Sequence, residues 1–283
     1  MKKGFFGQAT GAVMLMTGAW LAMAGSASAA TCIGSCGVSG ANGDVSAPPG
    51  GGSYSWISTA GGVNGAGQLP SIGGTNGSQL TSGTFSGAAG QNLGYTFKFV
   101  TSDGQAGAGS FIYQDYAWVK LLNAVTNATV ATLFTARTEP AGSIVPGKGL
   151  PAVASGVSLH PATVPISSGS GAGGAPVWAP LGGSSGTCWG AGCGLTSWVA
   201  SNYTLQSSGL YKVVFGVSNW GDTAYDTGLA IAGLNIQGTA IEDNPGSGGV
   251  ISGVPEPRIW AMLILGFGMV AAMMRRRGSL ARD

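Results

Sequence analysis

Apolar and polar residues alternate with a period of two in several separated stretches. Leu93, Tyr95, Phe97 and Phe99 alternate with Gly94, Thr96 and Lys98, and Tyr211, Val213, Phe215 and Val217 repeat the pattern. That period places the apolar set on one face of a β-strand. Ala117–Leu122 and Ala128–Thr135 carry the β-branched residues that strands favour and are joined near Asn123–Asn127, which predicts a strand pair. Gly228–Ile236 predicts a further strand. Many short strands with Gly-rich connections predict an all-β ectodomain over residues 30–244, an antiparallel β-sandwich or jelly roll. Its first part, 30–92, is rich in Gly and Ser with isolated Tyr54, Trp56 and Phe85, and reads as irregular.

The two ends of the chain break this pattern. Lys2 and Lys3 precede a largely apolar run, Gly11–Ala24, and Ala27-Ser28-Ala29 supplies small residues at a cleavage point. These are the parts of a secretory signal peptide, read here as residues 1–29. Cys32 does not complete a lipidation signal, because Thr31 precedes it and the apolar run does not abut it. At the other end, after a linker at 245–254, Pro255-Glu256-Pro257-Arg258 precedes an uncharged segment, Ile259–Met274, which Arg275, Arg276 and Arg277 close. A helix begins only after the two prolines, which lack amide hydrogens. Sixteen helical residues reach roughly 24 Å, a little under the hydrocarbon core of a bilayer, and long arginine side chains can cover the difference. The segment predicts one transmembrane helix over 259–274, with the arginines cytoplasmic and the rest of the chain outside.

The order Pro255-Glu256-Pro257, then Trp260-Ala261-Met262, Gly266-Phe267-Gly268 and the triple arginine resembles the PEP-CTERM sorting signal of exopolysaccharide-producing Gram-negative bacteria. The resemblance covers residues 255–278. It implies an exosortase as partner, which acts at the Pro255, Glu256, Pro257 motif with Arg275, Arg276 and Arg277 as the basic terminus. It also implies residence in the inner membrane before processing and delivery to the cell surface or extracellular matrix. Routing is implied, not activity. A second resemblance spans roughly 93–240. Phe97-Lys98-Phe99-Val100-Thr101-Ser102-Asp103, Asp115-Tyr116-Ala117-Trp118 and Phe215–Ile231 look like strands of extracellular β-sandwich domains found beside assorted surface anchors. Such domains often end their last strand in Ile-Asp-Asn, where this chain reads Ile231-Ala232-Gly233 and lacks the carboxylate.

Removing both ends changes the electrostatic picture. The whole chain is formally +2, yet residues 30–254 hold five basic against eight acidic residues, a net of −3. No basic patch is left to follow a phosphate backbone, so nucleic acid is not an expected partner. Glycine accounts for 53 of 283 residues. That density disfavours long helices, since each interior glycine costs a helix about 1 kcal/mol.

Four cysteines in an exported chain predict two disulfides, with three connectivities open. Local pairing, Cys32 with Cys36 and Cys188 with Cys193, is the expected one, with a four-cysteine zinc site as the alternative. Catalytic equipment is sparse. His160 is the only histidine, in a Pro-rich stretch. Gly182-Gly183-Ser184-Ser185-Gly186 matches a nucleophile elbow formally, but the preceding strand, following helix and later histidine are missing. Asp103, Asp115, Asp222 and Asp226 flank strands. They suit turn capping through side-chain hydrogen bonds, a Ca²⁺ site of carboxylates, carbonyls and water, or facing acids of a glycosidase. Six tryptophans lie in the exported part. Trp178, in a Pro-rich loop, and Trp189, between two cysteines, are the candidates for an exposed face that stacks on a sugar ring, against packing on their own loops. The expectation is a noncatalytic surface or matrix protein, with exopolysaccharide or a surface glycan as its ligand and no cofactor other than Ca²⁺. A secreted polysaccharide hydrolase and an ice- or surface-binding protein are the alternatives, although no regular Thr-rich face supports the latter.

Overall fold

The computed structural model describes residues 29–105, 113–139 and 141–245. The signal-peptide residues before 29, the linker from 246, the 259–274 helix and the sorting motif lie outside the described residues. Among the described residues no helix is long and apolar enough to cross a membrane.

The chain forms β1 (Thr31–Ile33), β2 (Ser35–Ser39), β3 (Tyr54–Ser58), β4 (Val63–Asn64), β5 (Asn76–Thr81), β6 (Phe85–Gly87), β7 (Asn92–Thr101), β8 (Tyr116–Asn123), β9 (Thr129–Arg137), β10 (Val157–His160), β11 (Gly194–Leu195), β12 (Val199–Thr204), β13 (Gly209–Ser218), β14 (Thr227–Ile236) and β15 (Thr239–Ala240). One sheet runs β1-β5-β13-β8-β9, with β4 against β5 and β6 against β13. The other runs β10-β12-β7-β14-β3-β2, with β11 on β7 and β15 on β14. Every strand pair is antiparallel. The molecule is a two-sheet antiparallel β-sandwich.

The alternating residues build its centre. Leu93, Tyr95, Phe97 and Phe99 of β7 and Leu229 and Ile231 of β14 join Val119 and Leu121 of β8, Phe134 of β9, and Val213, Phe215 and Val217 of β13 in one buried cluster. Rings from the two sheets meet directly: Phe97 and Phe134 lie 4.1 Å apart by centroid, and Tyr95 stands edge-on to Phe215 at 5.7 Å. In β14 the alternation changes phase, from Leu229 and Ile231 to Leu234 and Ile236. A bulge between Ala232 and Asn235 inserts one residue, and Gly233 takes the positive φ of 65° there.

Residues 30–92 are not irregular as the composition suggests. They supply β1 to β6, and β3 and β5 are hydrogen-bonded into the two sheets. Gly- and Pro-rich segments also cover both outer faces. Trp178 and Leu181 pack on Tyr54, Val100, Leu195 and Ala230 outside one sheet. Leu69 packs on Tyr116, Trp118 and Val214 outside the other. Glycine permits this covering. A Cβ at Gly228 would stand 2.5 Å from the Trp178 ring, and one at Gly216 would stand 2.3 Å from the ring of Trp118. The two indoles approach the sheets this closely because these strand positions carry no side chain.

Candidate functional site

Several strand ends meet at one end of the sandwich. β7 closes at Thr101 beside the start of β14 at Thr227, while β8 opens at Tyr116 between Arg137 of β9 and Ser218 of β13. Buried hydroxyls fasten this end: Thr101 Oγ1 lies 2.8 Å from Thr227 Oγ1, and Thr138 Oγ1 donates to Thr101 Oγ1 at 3.4 Å. The loops that carry the four candidate aspartates all leave from here.

The structure separates those aspartates into different roles. Asp226 accepts from Thr59 Oγ1 at 3.0 Å and from Ser184 Oγ at 2.8 Å, so both of its oxygens are used in holding loops together. Asp222 accepts from the amide of Ala224 at 3.0 Å, the turn-capping role. Asp103 and Asp115 are different. They are 1% and 0% exposed, and among the described residues three of their four carboxylate oxygens accept no hydrogen bond of ordinary geometry, with only the Gly104 amide and the Thr227 hydroxyl beside them. The fourth, Asp115 Oδ1, accepts from the amide of Trp220 at 2.9 Å. Burial, reinforced by the Asp222 carboxylate, pushes the Asp103 pKa up to about 8. Burial, and then the charge of Asp103, raises Asp115 well above the usual carboxylate range. Among the described residues no three His, Cys, Asp or Glu side chains are grouped to hold a metal. Of the four aspartates that could contribute to a calcium site, Asp226 has both oxygens on hydroxyl partners and Asp222 has Oδ1 on a turn amide.

The cysteines pair locally, Cys32 with Cys36 and Cys188 with Cys193. Two disulfides fit an oxidising, exported environment, and the pairing removes the zinc alternative. The second disulfide closes the loop that presents Trp189. The Trp189 amide donates to Ser102 O at 3.0 Å, and the Gln105 amide donates to Ala191 O at 2.7 Å, so the loop is stitched to the chain leaving β7. The Trp189 ring is half-buried and stands edge-on to Tyr113 at 5.1 Å and tilted to Tyr225 at 6.4 Å. Tyr225 holds a positive φ of 56°, uncommon for a residue with a side chain. Three loops thus bring three half-buried rings together.

Trp178 does not join them. It is 0% exposed, and its indole donates to Tyr54 Oη at 3.0 Å. Its Pro-rich loop suggested an exposed ring, but that loop is the lid of the outer hydrophobic cluster. Trp178 belongs to the core and is removed from the candidate glycan contacts. Beside Asp226 lies an open groove of about 610 Å³, lined by Ser35, Trp56, Thr59, Asn76, Thr223 and Gly183 among others. Sequence reasoning did not identify Tyr113, Tyr225 or this groove. Their lining residues are scattered over turns, and only the strand register brings them to one end.

The formal nucleophile elbow is a short 3-10 turn, Ala179–Ser184, and Ser184 is bound to Asp226 through both its hydroxyl and the Asp226 amide. His160 is exposed at the end of β10, where it pairs with Ala200 of β12. It stands on a short edge strand and not in a loop. Comparison with protein-family models, curated proteins and solved structures gives no match. The fold and the residues at this end therefore carry the functional reading.

Proposed function

We propose that the protein is an exported, noncatalytic surface or matrix component of an exopolysaccharide-producing Gram-negative bacterium. An exosortase routes it through the Pro255-Glu256-Pro257 tail, and the β-sandwich binds glycan at its loop end. The observation that carries the binding reading is the cluster of Trp189, Tyr113 and Tyr225 rings, with Thr223 and Asp226, which bracket Tyr225 in the chain, lining an open groove. Sugar rings present apolar C–H faces bounded by hydroxyls. Half-buried aromatic rings cover the first and short polar side chains satisfy the second. The net charge of −3 between residues 30 and 254 favours a neutral or weakly charged polysaccharide over a strongly acidic one.

Co-sedimentation of the purified exported protein with isolated exopolysaccharide tests the reading. Binding is expected, with a loss of tenfold or more in Trp189→Ala and in Tyr225→Ala while both stay folded. Absence of binding to every glycan offered refutes it. Release of reducing sugar would replace it with the hydrolase reading.

A further inference from the structure

Among the described residues, five buried side-chain oxygens at the loop end accept no hydrogen bond of ordinary geometry: both carboxylate oxygens of Asp103, Oδ2 of Asp115, Oε1 of Gln114 and Oδ1 of Asn219. The Gly104 amide and the Thr227 hydroxyl stand beside the carboxylates of Asp103 and Asp115, and Gln114 Nε2 is likewise without an acceptor. All four residues are 0% or 1% exposed. Leaving a buried acceptor unsatisfied costs about 1–3 kcal/mol each, and more for a charged one, so such groups normally have a partner. Five such oxygens on the short segments flanking three strand ends are a systematic feature, not scattered accidents. Asp103 follows the last residues of β7, Gln114 and Asp115 lead into β8, and Asn219 directly follows β13. Chain pairing holds the Gln114–Asp115 and Asn219 segments together, while Asp103 comes from the other sheet, where its amide donates to Thr101 Oγ1, and Thr138 Oγ1, from the end of β9, donates to that same hydroxyl. Tyr116 is in register with Ser218, the residue before Asn219, and the Trp220 amide binds Asp115 Oδ1.

We propose that Asp103, Gln114, Asp115 and Asn219 form a site for a hard divalent cation, Ca²⁺ in particular. The chemistry of the donor set selects it. All five atoms are oxygens, two come from amides, and neither sulfur nor imidazole is present. Calcium accepts carboxylate and amide carbonyl oxygens at irregular geometry and takes six to eight of them, so water or backbone carbonyls complete the shell. Magnesium demands a tighter octahedron and keeps its waters. Zinc favours nitrogen and sulfur. Two carboxylates are few for a calcium site, which sets the affinity in the weak range of extracellular modules, about 10⁻⁴–10⁻³ M. Arg137 is in electrostatic reach of Asp115, but its guanidinium lies over the rings of Tyr116 and Trp220, 5.6 and 5.2 Å away, and Nη1 donates to Lys148 O. The site is independent of the glycan reading, although Trp189 is stitched to Ser102, the residue before Asp103.

The test uses the purified exported protein after chelator treatment. Its thermal midpoint is followed against CaCl₂, with Tb³⁺ luminescence excited through tryptophan as a direct probe of occupancy. Calcium is expected to raise the midpoint saturably, to displace Tb³⁺, and to outcompete Mg²⁺ at equal concentration. Asp103→Asn and Gln114→Ala should weaken binding tenfold or more, while Asp243→Asn, remote from the site, should leave it within about threefold. Circular dichroism identifies the variants that remain folded. Gln114→Ala removes an uncharged ligand, so it keeps the test decisive if Asp103→Asn does not fold. No midpoint shift and no luminescence up to about 10 mM metal overturns the proposal. Binding that survives unchanged in folded Gln114→Ala or Asp103→Asn overturns it equally.

Discussion

Replacement of Gly228 by alanine tests how the Gly-rich loops and the sheets fit each other. A Cβ there would meet Trp178 Cζ3 at 2.5 Å and Ile57 O at 2.8 Å. Gly228 lies within β14, so alanine suits the local backbone and the effect reports packing. Forcing a methyl into a filled site costs about 1–3 kcal/mol, and the smaller unfolded-state entropy of alanine returns about 0.4–1 kcal/mol. The expected net loss is about 1–2 kcal/mol. Trp178→Ala should cost about 3–5 kcal/mol, because it empties the outer cluster and strands the Tyr54 hydroxyl. In the double variant the ring that Cβ strikes is gone, so Gly228→Ala should cost clearly less there than in the native background. Only its contact with the Ile57 carbonyl then remains. Urea unfolding of the four proteins measures this coupling, which belongs to the range found for touching residues, about 0.5–3 kcal/mol. An equal cost of Gly228→Ala in both backgrounds would refute the account of Trp178 as a lid seated on glycine. So would a Trp178→Ala protein as stable as the native one.

Further predictions concern the buried acids and the loops. Burial pushes the Asp243 pKa up to about 6, above its usual value near 4. Between those values the folded chain holds a proton the unfolded chain has lost. Its contribution to stability is full below about pH 4, falls as pH rises toward 6 and is flat beyond; subtracting the profile of Asp243→Asn from that of the native protein should isolate this decline. Asp226→Ala should cost about 1–3 kcal/mol by unpairing Thr59 and Ser184, and limited proteolysis should then cut first near 179–187. Replacing Cys188 and Cys193 by serine should cost no more than about 2 kcal/mol, since a short loop loses little entropy on closure. That variant should nevertheless weaken glycan binding by loosening Trp189, an effect read by co-sedimentation alongside urea unfolding.

The central strands were legible in the sequence because each has one face in the inter-sheet core. β7 and β13 show the two-residue period without interruption over Leu93–Phe99 and Tyr211–Val217. Where a second layer covers the outer face, the pattern fails. Tyr54-Ser55-Trp56-Ile57-Ser58 is buried or half-buried at every position, so β3 has no polar face to mark it. Glycine misleads in the same region. It reads as a loop former, yet Gly37, Gly216 and Gly228 stand in strands where rings of Trp56, Trp118 and Trp178 lie against them. The role of Trp178 followed from this, since its partner glycine is 50 residues away in sequence. The four aspartates were visible as a set, but only hydrogen-bond partners separate Asp226 and Asp222 from Asp103 and Asp115. The disulfide pairing was legible because the spacings of four and five residues already brought each pair into reach.

The proposal for function rests first on the tail as a temporary address. Intact mass and C-terminal peptide mapping of the protein recovered from the cell surface test it most directly. The account predicts a mature chain that starts near Thr31, ends near Pro255–Pro257 and lacks Trp260. Surface protein that uniformly retains Ile259–Asp283 would contradict processing and leave a simple membrane anchor in its place.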